Sequence, residues 1–221
     1  MKIAIYTAII GDYEAPRDPI FMDEGIDYIL FTDKRTESKK WDVRYVAHSG
    51  LTCRKSARSI KILSHQYLPE YDLTIWVDAN FCQKISLKPL IEKIKKNVTL
   101  LKHPKKTCIY EEAKACIELK LDYTEVINRQ IEHYISEGYP SKNGLCATGF
   151  IIRKNTPDVA QMNDDWWHEV LGKSGRDQLS FNYVAWVNEV DFDTIPFYEA
   201  HAYFSHVNHK KERLKYELEN D

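Results

Sequence analysis

The chain has 221 residues, and its 31 lysines and arginines nearly balance 33 aspartates and glutamates, giving a formal net charge of −2. This balance argues against bulk nucleic-acid binding, which normally requires a basic surplus. Hydrophobic residues make up 43% of the chain, which is enough to bury a sizeable core and argues against disorder. No apolar run approaches the roughly 20 residues of a membrane-spanning helix, so we expect no membrane span.

The five cysteines are too widely scattered to indicate a zinc site or a set of disulfides, and no Cys-x-x-Cys pair is present. Free thiols are typical of a reducing compartment, so we expect a soluble cytoplasmic protein. The cysteines are Cys53, Cys82, Cys108, Cys116 and Cys146.

Apolar and amphipathic segments alternate along the chain, which is typical of an α/β fold with a mostly parallel sheet flanked by helices. We predict one domain over residues 1–221, with a peripheral charged tail from about 209 to 221. The predicted strands are Lys2–Ile9, Ile26–Thr32, Val43–Ala47, Leu73–Val77, Val98–Lys102, Cys146–Arg153 and Phe192–Phe197. The predicted helices are Arg54–Tyr67, Ser86–Lys96, Cys108–Lys120, Glu125–Glu137, Pro157–Gly172 and one that begins near Asp177.

Motifs of several common α/β enzymes are missing from the sequence. No Gly-x-Gly-x-x-Gly follows the first strand, which argues against a dinucleotide cofactor. No Gly-x-Ser-x-Gly nucleophile elbow is present, and Gly172-Lys173-Ser174 lacks the upstream glycine of a phosphate-binding loop.

The most informative segment is Asp78-Ala79-Asn80, which follows the apolar strand Leu73–Val77. Open α/β sheets bind ligands at the carboxyl ends of their strands, where these two side chains could aim oxygens at one point. Carboxylate and amide oxygens suit Mg²⁺ or Mn²⁺, which commonly bridge substrate phosphates. The same three residues also fit a strand that ends in a simple Asx turn.

Two further segments carry charged groups in suggestive positions. Arg54, Arg58 and Lys61 are spaced by four and three residues, so they share one helix face that would suit either a diphosphate or solvent. Asp177 begins a predicted helix, where a carboxylate serves either as a first-turn cap or as a group presented into a cleft.

In order along the chain, several motifs together resemble the GT-A-fold glycosyltransferases. The resemblance extends from about Ile3 to His206, and in particular to the GT-A domain of a chlorella-virus glycosyltransferase and to related plant and bacterial glycosyltransferase-like proteins. It is carried by Ile5-Tyr-Thr-Ala-Ile-Ile-Gly11-Asp-Tyr13-Glu14, Phe31-Thr32-Asp33, Trp76-Val77-Asp78-Ala79-Asn80, Lys102-His103-Pro104, Tyr110-Glu111-Glu112-Ala113, Thr148-Gly149-Phe150 and Gly175-Arg-Asp-Gln-Leu-Ser-Phe181.

The resemblance implies a single GT-A domain that moves a sugar from a UDP-sugar donor to a hydroxyl of a glycan acceptor. Asp33 would accept a hydrogen bond from the uracil ring, and Ala79 would lie beside the donor. The other implied donor-binding residues are Thr7, Ala8, Ile9, Tyr13, Arg58, Lys61 and Asp78.

The resemblance also implies a Mn²⁺ or Mg²⁺ ion that stabilises the leaving diphosphate as a Lewis acid. The implied ligands are Asp78, Asn80 and His206, the last of these in a Ser-His-Val segment similar to a family motif. Asn80 stands where the usual motif has a second aspartate. Its amide oxygen adds no charge, so it either ligates the ion more weakly or binds ribose or water instead.

An inverting transferase needs a carboxylate to take the acceptor proton. Asp177 is the first candidate and Glu112 or Glu111 the second. Adjacent helical residues point about 100° apart, so only one of these two should face the cleft, and we select Glu112. In a retaining enzyme, Asp177 and Gln178 would instead lie near the reacting face of the sugar. His103, Gly149 and Gln178 are the implied substrate-binding residues.

Trp166, Trp167, Tyr110 and Tyr139 would serve either as core residues or as stacking surfaces for acceptor sugars. Two other functions remain open from the sequence. A sugar-phosphate nucleotidyltransferase also pairs carboxylates with Mg²⁺, although its glycine-rich basic loop is missing here. A catalytically silent nucleotide- or glycan-binding module is compatible with Asn80.

Overall fold

A computed structural model describes residues 1–11, 17–47 and 50–206, with only the backbone of His206. The predicted Tyr13 and the charged tail lie outside the described residues. The strands are β1 Ile3–Ile9, β2 Ile26–Thr32, β3 Asp42–Tyr45, β4 Leu73–Val77, β5 Phe81–Gln83, β6 Val98–Lys102, β7 Cys146–Lys154, β8 Phe192–Pro196 and β9 Phe204–His206. The helices are α1 Cys53–Ile62, α2 Ser64–Tyr67, α3 Lys88–Ile91, α4 Ile109–Glu118, α5 Thr124–Ser136, α6 Pro157–Gly172, α7 Phe181–Val187 and α8 Phe197–Tyr203, with a 3-10 helix at Asp177–Leu179.

Seven of the described strands form one sheet in the order β3-β2-β1-β4-β7-β6-β8. The strand β7 runs antiparallel to both of its neighbours, while the other pairs are parallel. Strands β5 and β9 form a separate antiparallel pair. The predicted α/β class with a mostly parallel sheet is therefore confirmed.

Each face of the sheet packs against its own hydrophobic core because successive strand residues point to opposite faces. On β1, Ala4, Tyr6 and Ala8 join the core beneath α1, α6 and α7, whereas Ile5 and Ile9 join the core beneath α3 and α8. The strand β1 is buried on both sides, which explains its continuous apolar sequence.

The predicted strands β2, β4 and β6 have exactly the expected bounds. The predicted helix Arg54–Tyr67 is wrong in one respect, because it breaks at Leu63 into α1 and α2. The helix expected over 86–96 is reduced to the single turn of α3. The last predicted strand ends at Pro196, since Phe197 begins α8. Strands β5 and β9 have three residues each, too few to show a pattern in the sequence.

Within the described residues, none of the helices combines the length and the apolar character needed to cross a membrane.

Candidate functional site

The candidate site lies at the carboxyl ends of β1, β2 and β4. The strands β2 and β3 that follow β1 lie on one side of it and β4 lies on the other, so the strand order reverses between β1 and β4. Open α/β sheets bind ligands at such a position. The antiparallel strand β7 begins at this same edge and brings Gly149 beside the end of β4, where the Asp78 N–H donates to the Gly149 carbonyl at 2.9 Å.

The carboxylate of Asp78 is held on one side only. Its Oδ1 accepts a hydrogen bond from Trp76 Nε1 at 2.7 Å, and its side chain is 32% exposed. Within the described part of the chain, no group donates a hydrogen bond to Asp78 Oδ2. Asp78 is therefore oriented by a buried indole while its second oxygen is available to a ligand.

Gly149 has no side chain to cover that oxygen. A Cβ at position 149 would lie 3.1 Å from Asp78 Oδ2 and 3.3 Å from the Phe81 ring. Contacts of this length are tighter than ordinary van der Waals packing, so glycine keeps the space beside the carboxylate open.

Asp78 belongs to a cluster of four charged side chains. Lys61 Nζ lies 2.6 Å from Asp177 Oδ2 and 3.6 Å from Asp78 Oδ1, and Arg58 Nε lies 3.0 Å from Asp177 Oδ1. The side chains of Lys61 and Asp177 are almost completely buried. Two cations and two carboxylates thus balance one another at the site, as buried charges require.

Burial by itself would raise the pKa of Asp177, but Arg58, Lys61 and a hydrogen bond from Thr148 hold that pKa well below its usual range. Burial lowers the pKa of the Lys61 ammonium from its ordinary value, and the carboxylates of Asp177 and Asp78 oppose that shift. Asp177 is therefore an ionised member of a salt-bridge cluster.

The first strand lines a small cavity next to Asp78. Thr7, Ile9, Asp78 and Ala79 border this cavity together with Arg17, Trp41, Val77 and Phe81. Thr7 Oγ1 is buried and has no hydrogen-bond partner among the described residues. The predicted donor residues Thr7, Ile9, Asp78 and Ala79 are thus brought together, whereas Ala8 faces the opposite core.

Asp33 anchors the loop that follows β1. Both of its carboxylate oxygens accept from the Gly11 N–H, at 3.0 and 3.1 Å. Gly11 has a φ of +69°, and a Cβ there would lie 2.8 Å from Cys53 Sγ, so the loop passes close to the start of α1. The predicted contact of Asp33 with a nucleotide base remains a prediction.

The predicted metal ligands come from two segments that meet at this edge. Asp78 and Asn80 belong to a turn closed by the Phe81 N–H, which donates to the Asp78 carbonyl at 2.8 Å. The backbone of His206 pairs with Phe81, so the β5–β9 pairing brings its position next to this turn. Among the side chains that the structure describes, which exclude that of His206, no three His, Cys, Asp or Glu are grouped to hold a metal ion.

A second polar cluster centres on Glu112, which is buried in α4. Its Oε2 accepts from Lys106 Nζ at 2.6 Å, and its Oε1 accepts from Gln178 Nε2 at 2.9 Å. Since Gln178 follows Asp177 in the chain, this cluster adjoins the first one. Burial lowers the pKa of the nearby His103, an effect that Glu112 opposes, while Glu111 is exposed.

The aromatic residues proposed for acceptor stacking are mainly packed inside the protein. Trp166 and Tyr139 are buried, and Tyr110 donates to the Tyr139 carbonyl at 2.7 Å. Trp167 is partly buried against the same core. The packing interpretation of these residues therefore fits the structure.

Sequence reasoning did not anticipate Arg153 beneath the site. Its guanidinium is fully buried and donates to the Ile62 carbonyl at 2.9 Å, to Asn163 Oδ1 at 3.0 Å and to the Lys61 carbonyl. These contacts satisfy the last carbonyls of α1, where the helix that carries Arg58 and Lys61 ends. The only signal in the sequence was a charged residue inside an apolar strand.

A family model described as TOD1/MUCI70, glycosyltransferase-like domain, matches residues 1–209. The chain belongs to this family. Membership of the TOD1/MUCI70 family supports a glycosyltransferase function in general, with a sugar donor and an acceptor as its partners. A search of curated protein sequences finds no match.

Proposed function

We propose that this member of the TOD1/MUCI70 family is a GT-A-type enzyme that transfers a sugar from a UDP-sugar to a hydroxyl of a glycan. The observation that carries the proposal is the cluster of Asp78, Lys61, Arg58 and Asp177 at the carboxyl edge of the sheet. An anionic diphosphate beside this cluster would share the two cations with Asp177. Thr7 Oγ1, which has no hydrogen-bond partner among the described residues, borders the small cavity beside this cluster and is a polar group that faces the proposed donor side.

The residues at this edge fit a divalent cation. Asp78 Oδ2 is accessible because Gly149 leaves it uncovered, and Asn80 and His206 belong to the segments that meet beside it. We propose that Asp78 holds Mn²⁺ or Mg²⁺, with Asn80 and His206 as the further ligands. When bound, such an ion would neutralise the charge that gathers on the leaving diphosphate.

The charge cluster suggests different roles for the two candidate bases. A general base works best when its pKa lies near the working pH. Arg58 and Lys61 stabilise the ionised form of Asp177 and keep its pKa low, which makes Asp177 a poor proton acceptor. Glu112 contacts one cation, Lys106, and two neutral groups, the Gln178 amide and the Cys116 thiol. We therefore propose Glu112 as the acceptor base and Asp177 as the group that positions Arg58 and Lys61.

The experiment that tests this function measures UDP release from a panel of UDP-sugars in the presence of Mn²⁺. Asp78→Asn should lower the rate about 100-fold, because loss of charge stabilisation at a metal site costs several kcal/mol in the barrier. Asp72→Asn is the matched control, since Asp72 is exposed and lies at the opposite end of β4. Thermal unfolding of both variants establishes that they are folded.

Three results would contradict the proposal. The first is a wild-type protein that neither binds UDP nor hydrolyses any UDP-sugar at millimolar concentration. The second is stabilisation by UDP without turnover of any donor, which would indicate a silent binding module. The third is pyrophosphate release from a nucleoside triphosphate and a sugar phosphate, which would indicate a nucleotidyltransferase.

A further inference from the structure

A groove distinct from the proposed donor site lies along α7. It has a volume of about 700 Å³, and its lining includes Asn182 and Trp186 of α7 and Glu189, which follows this helix. Glu137 and Asn143 border it from the end of α5 and the loop before β7, and Asp191 borders it from the start of β8. Its volume lies within the range of natural ligand sites.

The wall of the groove is an aromatic ring held in a fixed orientation. Trp186 is 41% exposed, although most tryptophans of the chain are buried. Its ring packs edge-on against Tyr139 with centroids 5.5 Å apart, and it also contacts Tyr183. The exposed part of the indole is thus a preorganised flat apolar surface at the side of a polar groove.

The polar lining consists of amides and carboxylates. Asn182 Oδ1 accepts from the Cys146 N–H at 3.0 Å, which fixes the plane of its amide. Asp191 is oriented by an ion pair with Lys96. None of the described residues that line the groove is a lysine or an arginine. This charge distribution disfavours phosphates, nucleic acids and acidic sugars, while amides and carboxylates accept hydrogen bonds from hydroxyl groups.

We propose that this groove binds a neutral oligosaccharide, with the apolar face of one sugar ring stacked on Trp186 and the hydroxyl groups bonded to the surrounding amides and carboxylates. The inference rests on the proposed function in one respect, since it identifies the oligosaccharide as the acceptor chain. Both sites border the same strand. Asn182 in the groove accepts from the N–H of Cys146, the first residue of β7, and Gly149 of this strand accepts from the N–H of Asp78.

The test uses unsubstituted oligosaccharides of glucose, xylose, mannose and galactose as probes, and acrylamide quenching of tryptophan fluorescence as the readout. Trp41, Trp76 and Trp166 are buried and Trp167 is partly buried, so quenching reports chiefly on Trp186. At least one probe should protect the fluorescence and show saturable binding by calorimetry. Trp186→Ala should weaken that binding about tenfold and Trp186→Phe less, as expected for the loss of an aromatic contact.

Tyr198→Ala is the control because Tyr198 is a 72% exposed aromatic residue on α8 that should not affect binding. UDP-sugar hydrolysis without acceptor is measured in parallel. If the wild type hydrolyses the donor but binds none of the probes, the groove assignment is overturned and the proposed function stays intact. If the wild type binds a probe, Trp186→Ala abolishes that binding and the wild type turns over no donor, the groove assignment is supported and the proposed function is contradicted. Equal binding by wild type and Trp186→Ala would overturn the groove assignment.

Discussion

Lys61 Nζ lies 2.6 Å from Asp177 Oδ2, and both side chains are almost completely buried. The resemblance to GT-A enzymes implies that Lys61 binds the sugar-nucleotide donor and makes Asp177 the first candidate for the catalytic base. Their direct contact makes them parts of a single electrostatic unit, in which Asp177 holds the cation at a fixed position 3.6 Å from Asp78.

The first prediction concerns the stability of this pair. Lys61→Met should lower the free energy of unfolding by about 3 kcal/mol, because removing one partner leaves a buried charge with less compensation. Asp177→Asn should also destabilise, and the double variant should lose less than the sum of the two. Urea unfolding of the four proteins measures this coupling. Strict additivity would show that the pair contributes no interaction energy.

The second prediction concerns pH. Arg58 and Lys61 hold the pKa of Asp177 in the folded protein below its ordinary value of about 4. The resulting stabilisation is fully present above that ordinary value and is lost as the pH falls toward the lower folded pKa. The free energy of unfolding should therefore fall more steeply for wild type than for Asp177→Asn between about pH 4 and pH 2. Parallel curves from urea unfolding would contradict the shift.

The third prediction concerns the space beside Asp78. Gly149→Ala places a methyl group 3.1 Å from Asp78 Oδ2, so it should weaken UDP binding in the presence of Mn²⁺ about tenfold. The crowding should also lower the free energy of unfolding by about 1–3 kcal/mol. Gly172→Ala is the matched control, because a Cβ there meets no atom within 4 Å. Calorimetric titration measures binding. Equal affinities of the two variants would show that the space at Gly149 is not used.

The fourth prediction concerns Arg153. Arg153→Met should lower the free energy of unfolding by about 3 kcal/mol, since the carbonyls of Lys61 and Ile62 and the Asn163 side chain lose a buried donor. Arg129→Met on the exposed face of α5 is the control and should change stability by less than about 0.5 kcal/mol. An equally small effect of Arg153→Met would contradict the capping role given to its guanidinium.

The sequence predicted the long buried strands well because their apolar runs are continuous. β2, β4 and β6 have exactly the expected bounds, and Asp78 lies at the carboxyl edge as expected. The break of α1 at Leu63 could not be predicted, since it involves carbonyls that a distant guanidinium satisfies.

The contacts among the candidate site residues could not be predicted from the sequence. Arg58 and Lys61 share one helix face, as their spacing indicates, but the spacing does not reveal that Asp177 lies against both. That contact depends on how the 3-10 helix packs on α1, which is a tertiary property. The orientation of Asp78 by Trp76 is likewise invisible in the sequence, although the two residues are only two positions apart.

The measurement that tests the central claim most directly is calorimetric titration of UDP into the wild type, Asp78→Asn and Asp72→Asn, with and without Mn²⁺. The account predicts Mn²⁺-dependent binding that Asp78→Asn weakens about 100-fold and Asp72→Asn leaves unchanged. Binding that is equally strong in Asp78→Asn, or no UDP binding by the wild type at millimolar concentration, would contradict a sugar-nucleotide site at the end of β4.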